Sequence, residues 1–222
     1  MMKKSIVLLI TILFIATISL LILKNLDDAD SYISKQNSKF TKTQIMFYIN
    51  NAKDEISKIL TQNLDREILK DYTGIEFPIV IQDAKISLRL EEYDKYNINL
   101  LKEKDEEKYK YLKEFLISKD IYDFELLKDI YSENNKIENT KQLKSLFEKF
   151  QKDSDLNKID KIKEYIGFQD YIKKDINQND KDKEIKLYEL FVKVEYLKEF
   201  AKAYYILDKE KGEVKYFEYS FK

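Results

Sequence analysis

The chain opens with an uninterrupted apolar segment. Ser5 to Leu23 contains only serine and threonine among polar residue types, and Lys3 and Lys4 precede it. As a helix that rises about 1.5 Å per residue, this run covers roughly 28 Å, close to the hydrocarbon thickness of a bilayer. A cleaved secretory signal has a shorter apolar core followed by a small-residue cleavage motif, and neither is present. The pattern predicts a retained transmembrane helix at residues 5–23.

Basic residues around this run set its expected orientation. Residues 1–4 carry Lys3 and Lys4, whereas a lone Lys24 follows the run. Because lysine and arginine favour the cytoplasmic side, residues 1–4 are predicted to stay in the cytoplasm and the remainder to be exported.

A helical period continues beyond the predicted anchor, over residues 24–73. Apolar residues recur there at steps of three and four, the spacing of one helix face. They are Ile45, Ile49, Ala52, Ile56, Ile59, Leu60, Leu64 and Ile68. Gly74 supplies a left-handed cap, and Pro78 cannot continue the helix. Residues 31–44 have weaker apolar spacing but no glycine or proline, so the anchor and this extension are predicted to be nearly continuous.

The period changes to two over residues 74–100. Glu76 to Ile81 reads as one strand, which Pro78 restricts to a sheet edge or to its opening residues. In the next strand Ile86, Leu88 and Leu90 share one face. These residues predict a pair of strands.

Residues 101–184 return to the helical period and predict four or five short helices, separated by charged loops at 132–139 and 153–158. Residues 185–222 alternate again, with Gly212 in a turn that favours positive φ. The prediction is an α+β protein with a long N-terminal membrane-anchoring helix packed on an antiparallel sheet and a helical insertion before the last strands.

Composition narrows the chemistry. Forty basic and 41 acidic residues give a net charge of −1, so no basic field favours direct nucleic-acid binding. Cysteine and histidine are both absent. Disulfides, thiolate metal sites and Ser-His or Cys-His nucleophiles are therefore excluded, and only carboxylate, lysine or tyrosine chemistry remains for an enzyme. We predict no enzymatic activity and no cofactor.

Neither of two acidic clusters is predicted to be a metal site. Asp175, Asn177, Asn179 and Asp180 have calcium-loop spacing, but such a loop needs glycine at the position of Asp180 and glutamate at that of Lys186. The second cluster follows the apolar run and consists of Asp27, Asp28 and Asp30. Solvated charges that mark the membrane boundary explain that cluster more simply.

Lys4 and Ser5, a basic and a small residue, precede an IVLLITILF run. This opening resembles that of type IV pilin-like proteins, and more narrowly that of the K-type minor pseudopilins of type II secretion systems. The family's asparagine-rich segment is matched by Asn97, Asn99 and Leu101, with Glu91 in place of its aspartate and Arg89 in place of its opening apolar residue. The closing pattern is matched by LYELFVKVEY and then EFAKAYYILDKEKGEVKYFEY.

The resemblance implies a minor pseudopilin that caps or primes a periplasmic pseudopilus, in type II secretion or in DNA uptake during transformation. The implied partners are other minor pseudopilins, the inner-membrane assembly platform and membrane lipid. Prepilin processing would fall between Ser5 and Ile6, where Ser5 replaces the usual glycine. The apolar helix lacks the glutamate of ordinary pilins, as K-type subunits do, which implies a position at the filament tip. The predicted partner face of the helix consists of Ile45, Ile49, Ala52 and Ile56. The alternative is a static, membrane-tethered periplasmic scaffold or sensing domain.

Overall fold

The computed structural model combines helices with an antiparallel sheet, which confirms the predicted α+β class. It describes residues 2–62, 66–104, 106–133, 135–154, 159–170 and 186–222, with side chains of the first helix from Phe14 onward. The α-helices are α1 (Met2–Thr61), α2 (Arg66–Tyr72), α3 (Glu106–Ser118), α4 (Phe124–Ser132) and α5 (Thr140–Ser154). The strands are β1 (Glu76–Ile81), β2 (Ala84–Glu92), β3 (Tyr96–Asn97), β4 (Ile166–Gly167), β5 (Leu187–Tyr196), β6 (Glu199–Asp208) and β7 (Val214–Phe221).

Helix α1 is 60 residues long and confirms the predicted continuity between the apolar run and its extension. Its C-terminal part packs on β5 and β6. Across the described side chains, no helix combines the length and apolarity needed to cross a membrane. Residues 5–13 of the predicted span lie outside those side chains.

The prediction of one helix running to Gly74 was wrong, because α1 ends at Thr61 and α2 begins at Arg66. At the end of α1, the Gln62 N–H donates to the Ile59 carbonyl in a tightened last turn. The break has a packing reason. In a continuous helix, Leu60 and Leu69 would lie about 180° apart, since each residue turns about 100°. Both are buried in the same core cluster, which one straight helix could not achieve.

All five strands of the main sheet run antiparallel to their neighbours, in the order β1-β2-β5-β6-β7. As predicted, the strand with Pro78 lies at an edge, and Ile86, Leu88 and Leu90 share one buried face. Gly74 and Gly212 have φ values of 75° and 66°. The predicted positive-φ positions after the helix and in the β6–β7 turn are therefore confirmed.

The sheet carries a layer on each face. One face of β2, β5 and β6 forms a core cluster with α1. The opposite face joins a second cluster through Leu187 and Ile206, which pack with side chains of α3, α4 and α5. The helical part of the described chain has three α-helices and short 3-10 turns rather than the four or five helices that the period predicted.

The short strands β3 and β4 pair in parallel and join the two ends of the helical layer. Tyr96 pairs with Ile166, and Asn97 with Gly167. The charge-rich flanking sequence gave no strand signal here, because two-residue pairing has no period to detect.

Candidate functional site

The predicted partner face of α1 is directed at the chain's own sheet. Ile45 and Ile49 are fully buried in the cluster formed with β5 and β6, and Ala52 and Ile56 are half-buried against it. The helical period identified an apolar face correctly but could not say what covers it. The structure corrects the prediction: this face packs on the chain's own sheet, so it is not available to a partner.

An apolar stripe lies on the other side of α1. Leu26, Ile33, Phe40 and Phe47 recur every seven residues, and each is more than half exposed. Residue 47 is turned about 200° from residue 45, so the stripe faces away from the sheet. Seven residues fall about 20° short of two turns, which is the slow drift of a helix-packing seam. We call these four residues the outer stripe.

The N-terminal part of α1 extends beyond the sheet. Every described side chain from Phe14 to Asn37 is exposed. The Ser38 hydroxyl then donates to the Glu199 carboxylate on β6 at 2.7 Å. This uncovered part of the helix exposes nine large apolar side chains after Leu13. They are Phe14, Ile15, Ile18, Leu20, Leu21, Ile22, Leu23, Leu26 and Ile33. The outer stripe is continuous with this apolar surface.

The remaining predicted sites fall in three classes. Ser5 and Ile6 lie in α1, but their side chains are outside the described set. The aspartates at positions 27, 28 and 30 are exposed. The calcium-like stretch at 175–180 lies outside the described residues. Within the described chain, no group of three or more acidic side chains is arranged to hold a metal ion.

Asn97 and Asn99, which carry part of the resemblance to pseudopilins, have a structural role. The Asn97 side chain accepts from the Asn99 backbone N–H at 3.0 Å and caps the 3-10 turn Ile98–Lys102. Leu101 of the same turn is buried in the helical core. This spacing places a cap, a polar side chain and an apolar anchor within one turn.

Asn99 joins three separated segments through its side-chain amide. Its Nδ2 donates to the carbonyls of Ile137 and Phe168, each at 2.9 Å. Its Oδ1 accepts from the Ile137 N–H at 2.8 Å and from the Tyr131 hydroxyl at 2.9 Å. These bonds use both donors and both lone pairs of the amide. Burial raises the pKa of Tyr131, which keeps this donor protonated.

A buried carboxylate at the centre of the sheet was missed by the sequence reasoning. Glu189 on β5 is 2% exposed, and Lys95 contacts it at 2.6 Å. The Tyr204 hydroxyl on β6 also donates to Glu189. Burial raises the pKa of Tyr204 above its usual value, and the Glu189 charge raises it further, so the phenol remains a donor. Glu189 lies in an alternating strand, and the alternation alone does not show that a helical layer covers this face.

Tyr93 closes the same region from the side of the helical layer. Its hydroxyl accepts from the backbone N–H groups of Phe168 and Gln169, at 3.1 and 3.2 Å. Burial raises the pKa of Tyr93. Gly167 lies against the ring, and a Cβ there would be 1.9 Å from the Tyr93 hydroxyl oxygen.

Above Glu189, an open groove of about 700 Å³ lies between the sheet and the helical layer. Its floor includes Phe191 and Tyr204, whose rings are 5.1 Å apart. Arg89, which departs from the family pattern, stacks at 4.7 Å on the Phe191 ring and pairs with Glu91 at 3.1 Å. We call this space the sheet groove.

Comparisons with protein-family models, with curated proteins and with solved structures return no match to this chain. Function is therefore inferred from the outer stripe, the uncovered helix and the sheet groove.

Proposed function

We propose that this protein is a minor pseudopilin, a non-enzymatic subunit that caps or primes a periplasmic pseudopilus in type II secretion or in DNA-uptake machinery. The observation that supports it most is the form of α1. One 60-residue helix packs on an antiparallel sheet at its C-terminal end and presents an uncovered apolar surface before it. A subunit of this shape can pack its helix beside those of its neighbours while the sheet stays outside.

The outer stripe provides the surface for that packing. Its side chains lie opposite the residues that hold α1 to the sheet, so a neighbouring helix can contact them without disturbing the core. Seven-residue spacing suits two helices that wind slowly around each other. The outer stripe thus replaces Ile45, Ile49, Ala52 and Ile56 as the proposed partner face.

The N-terminal sequence supports an inner-membrane location. Lys3 and Lys4 precede the apolar run, which favours a cytoplasmic N-terminus and a periplasmic domain. No carboxylate occurs between Ser5 and Leu23, so this helix cannot neutralise a neighbour's terminal amine in lipid. A subunit without that carboxylate suits the tip, where no subunit lies above it.

The helical layer supports the same position. Helices α3 to α5 cover the face of the sheet opposite α1 and give the subunit a second core. This layer adds bulk that a tightly packed filament shaft has little space to accommodate. We therefore expect low copy number and a stable complex with a few other pilin-like proteins.

The test places charge on the outer stripe. Phe40→Asp with Phe47→Asp should abolish crosslinking of α1 to other pilin-like proteins and reduce secretion or transformation at least tenfold. Tyr122→Asp is the matched control, because it also adds charge at a highly exposed aromatic residue outside α1. Both variants should keep the melting temperature of the parent protein, since neither site is in a core.

Unimpaired assembly of the Phe40/Phe47 variant, or crosslinks repeated along a filament shaft, would contradict the proposal. A membrane-tethered protein that never moves into a filament and binds no pilin-like partner would instead be the static scaffold or sensing domain.

A further inference from the structure

The sheet groove has a basic rim. Five lysines and two glutamates lie among its described lining residues. The lysines come from the helical layer and from the sheet: Lys95, Lys141, Lys163, Lys193 and Lys202. The rim therefore has an excess of three positive charges, in a chain whose net charge is −1.

Both carboxylates of the groove already have partners. Glu189 binds Lys95 and Tyr204. Glu218 accepts from the Thr140 hydroxyl at 2.6 Å and from the Tyr216 hydroxyl at 2.7 Å. These bonds direct the carboxylates into the protein, and of the five rim lysines only Lys95 pairs with one of them.

Within the part of the chain that the structure describes, two of the five rim lysines lack a carboxylate partner. Lys163 pairs with Asp160 at 2.6 Å, and Lys193 pairs with Glu76 at 2.8 Å. Among the described residues, Lys141 and Lys202 have no acidic side chain at ion-pair distance. Both side chains are exposed, so their positive charge can meet an anion.

Like charges also face each other across the sheet. Lys193 on β5 and Lys202 on β6 are direct register partners and lie on the groove side. Like charges in directly opposite positions destabilise a strand pair. Glu76 offsets part of this repulsion at Lys193, and an anion bound between the strands would offset the rest.

The groove floor is aromatic and apolar. Phe191 and Tyr204 are both half-buried, and Leu143 of α5 lines the adjacent wall. Such a floor provides area for an aliphatic or aromatic side chain, while the rim provides charge for the groups on either side of it. A volume of about 700 Å³ is in the range of specific ligand sites.

We propose that the sheet groove binds an acidic, apolar segment of a partner protein, with carboxylates on Lys141 and Lys202 and an apolar side chain on Phe191. Single-stranded nucleic acid fits less well, because Lys141 and Lys202 are the only rim lysines without a carboxylate partner among the described residues, and two charges are too few to follow a phosphate backbone. This site is separate from the outer stripe and does not depend on the pseudopilin proposal.

Binding is tested with the full chain in detergent micelles and a fluorescein-labelled octapeptide of alternating aspartate and leucine. We expect saturable binding by fluorescence anisotropy, weakened by salt as the charges are screened. Lys141→Gln with Lys202→Gln should weaken binding at least tenfold. The control Lys110→Gln with Lys144→Gln makes the same change of charge at two highly exposed lysines that do not line the groove.

A second readout keeps the test independent of folding defects. Lys202→Gln alone should leave the melting temperature of the unliganded protein unchanged or raise it, because it removes the repulsion with Lys193. An octapeptide of alternating lysine and leucine should not bind. The proposal is overturned if the acidic peptide does not bind, if both double variants weaken it equally, or if an oligothymidylate of the same length binds more tightly.

Discussion

Gly167 lies so close to Tyr93 that any side chain at position 167 would collide with the tyrosine ring. A Cβ on Gly167 would lie 1.9 Å from the Tyr93 hydroxyl oxygen and 2.7 Å from its Cζ. We expect Gly167→Ala to displace the ring, break its bonds to the Phe168 and Gln169 N–H groups, and cost about 3 kcal/mol of unfolding free energy. Urea unfolding followed by circular dichroism measures this loss.

Gly74→Ala is the matched control. No atom lies within 4 Å of a Cβ at Gly74, so its only cost is the φ of 75°, about 1 kcal/mol. Equal losses for the two alanine variants would show that the contact with Tyr93 has no energetic role.

Burial of Tyr205 should make the unfolding free energy of the protein depend on pH at alkaline values. Burial raises the pKa of Tyr205 to about 12, above its unfolded value of about 10. Since the unfolded chain loses this proton first, the stability contribution is complete below pH of about 10 and is lost as pH rises toward 12. Tyr205→Phe should make the fall in unfolding free energy shallower, by up to about 1.4 kcal/mol per pH unit in that window.

Urea titrations at several alkaline pH values measure this slope. Tyr122→Phe is the control, because Tyr122 is highly exposed. A Tyr205→Phe slope equal to that of the parent would contradict the assignment.

The sequence pattern identified some residues of the polar clusters but not the contacts that they make. The spacing of Asn97, Asn99 and Leu101 was visible, yet the partners of Asn99 lie 32 to 69 residues away along the chain. Glu189 was missed for the same reason. Its neighbours Lys95 and Tyr204 become neighbours only through the sheet register and the helical layer.

Among the helices and strands, local pattern predicted the element type well wherever one face alone is buried. The hairpins β1–β2 and β6–β7 follow from alternation and turn residues, and α1 follows from its period. Strand β5 is different. Residues 187 to 190 are all buried, because layers on both sides cover them, and alternation describes only one of the two.

Helix α5 begins with a reciprocal capping arrangement that allows an element-scale prediction. The Asn139 side chain accepts from the Gln142 N–H at 2.9 Å, and the Gln142 side chain accepts from the Glu138 N–H at 2.7 Å. Asn139→Ala should cost about 1 kcal/mol, because it leaves a helix-terminal N–H without this acceptor. Thermal or urea unfolding checks the loss.

Asn139→Asp is the conservative comparison, since a carboxylate also caps a helix N-terminus and should restore most of the stability. If alanine and aspartate at this position gave equal losses, the cap would not be the cause.

At the scale of the whole molecule, two cores share the same central strands. Cluster residues on β5 and β6 pack against α1 on one face and against the helical layer on the other. The layers therefore cannot lose their packing independently, because unfolding of either removes the support of β5 and β6.

Ile49→Ala tests this coupling. Ile49 is fully buried against the sheet, so its truncation should cost about 3 kcal/mol. Hydrogen exchange should show that amides of α4, on the far side of the sheet, lose protection by a similar amount. Phe47→Ala is the control on the exposed side of α1, with an expected change under about 0.5 kcal/mol. Unchanged exchange in α4 of the Ile49 variant would contradict the shared core.

The two edges of the sheet differ in their capacity to accept another strand. β1 carries Pro78, which has no N–H to donate, whereas β7 contains no proline and presents eight residues along the other edge. Growth of a fibre by sheet extension needs two compatible edges on every molecule. If β7 alone pairs with another copy, two molecules that meet β7 to β7 bury both compatible edges and form a closed pair. We expect any self-association through the sheet to stop at two molecules instead of propagating.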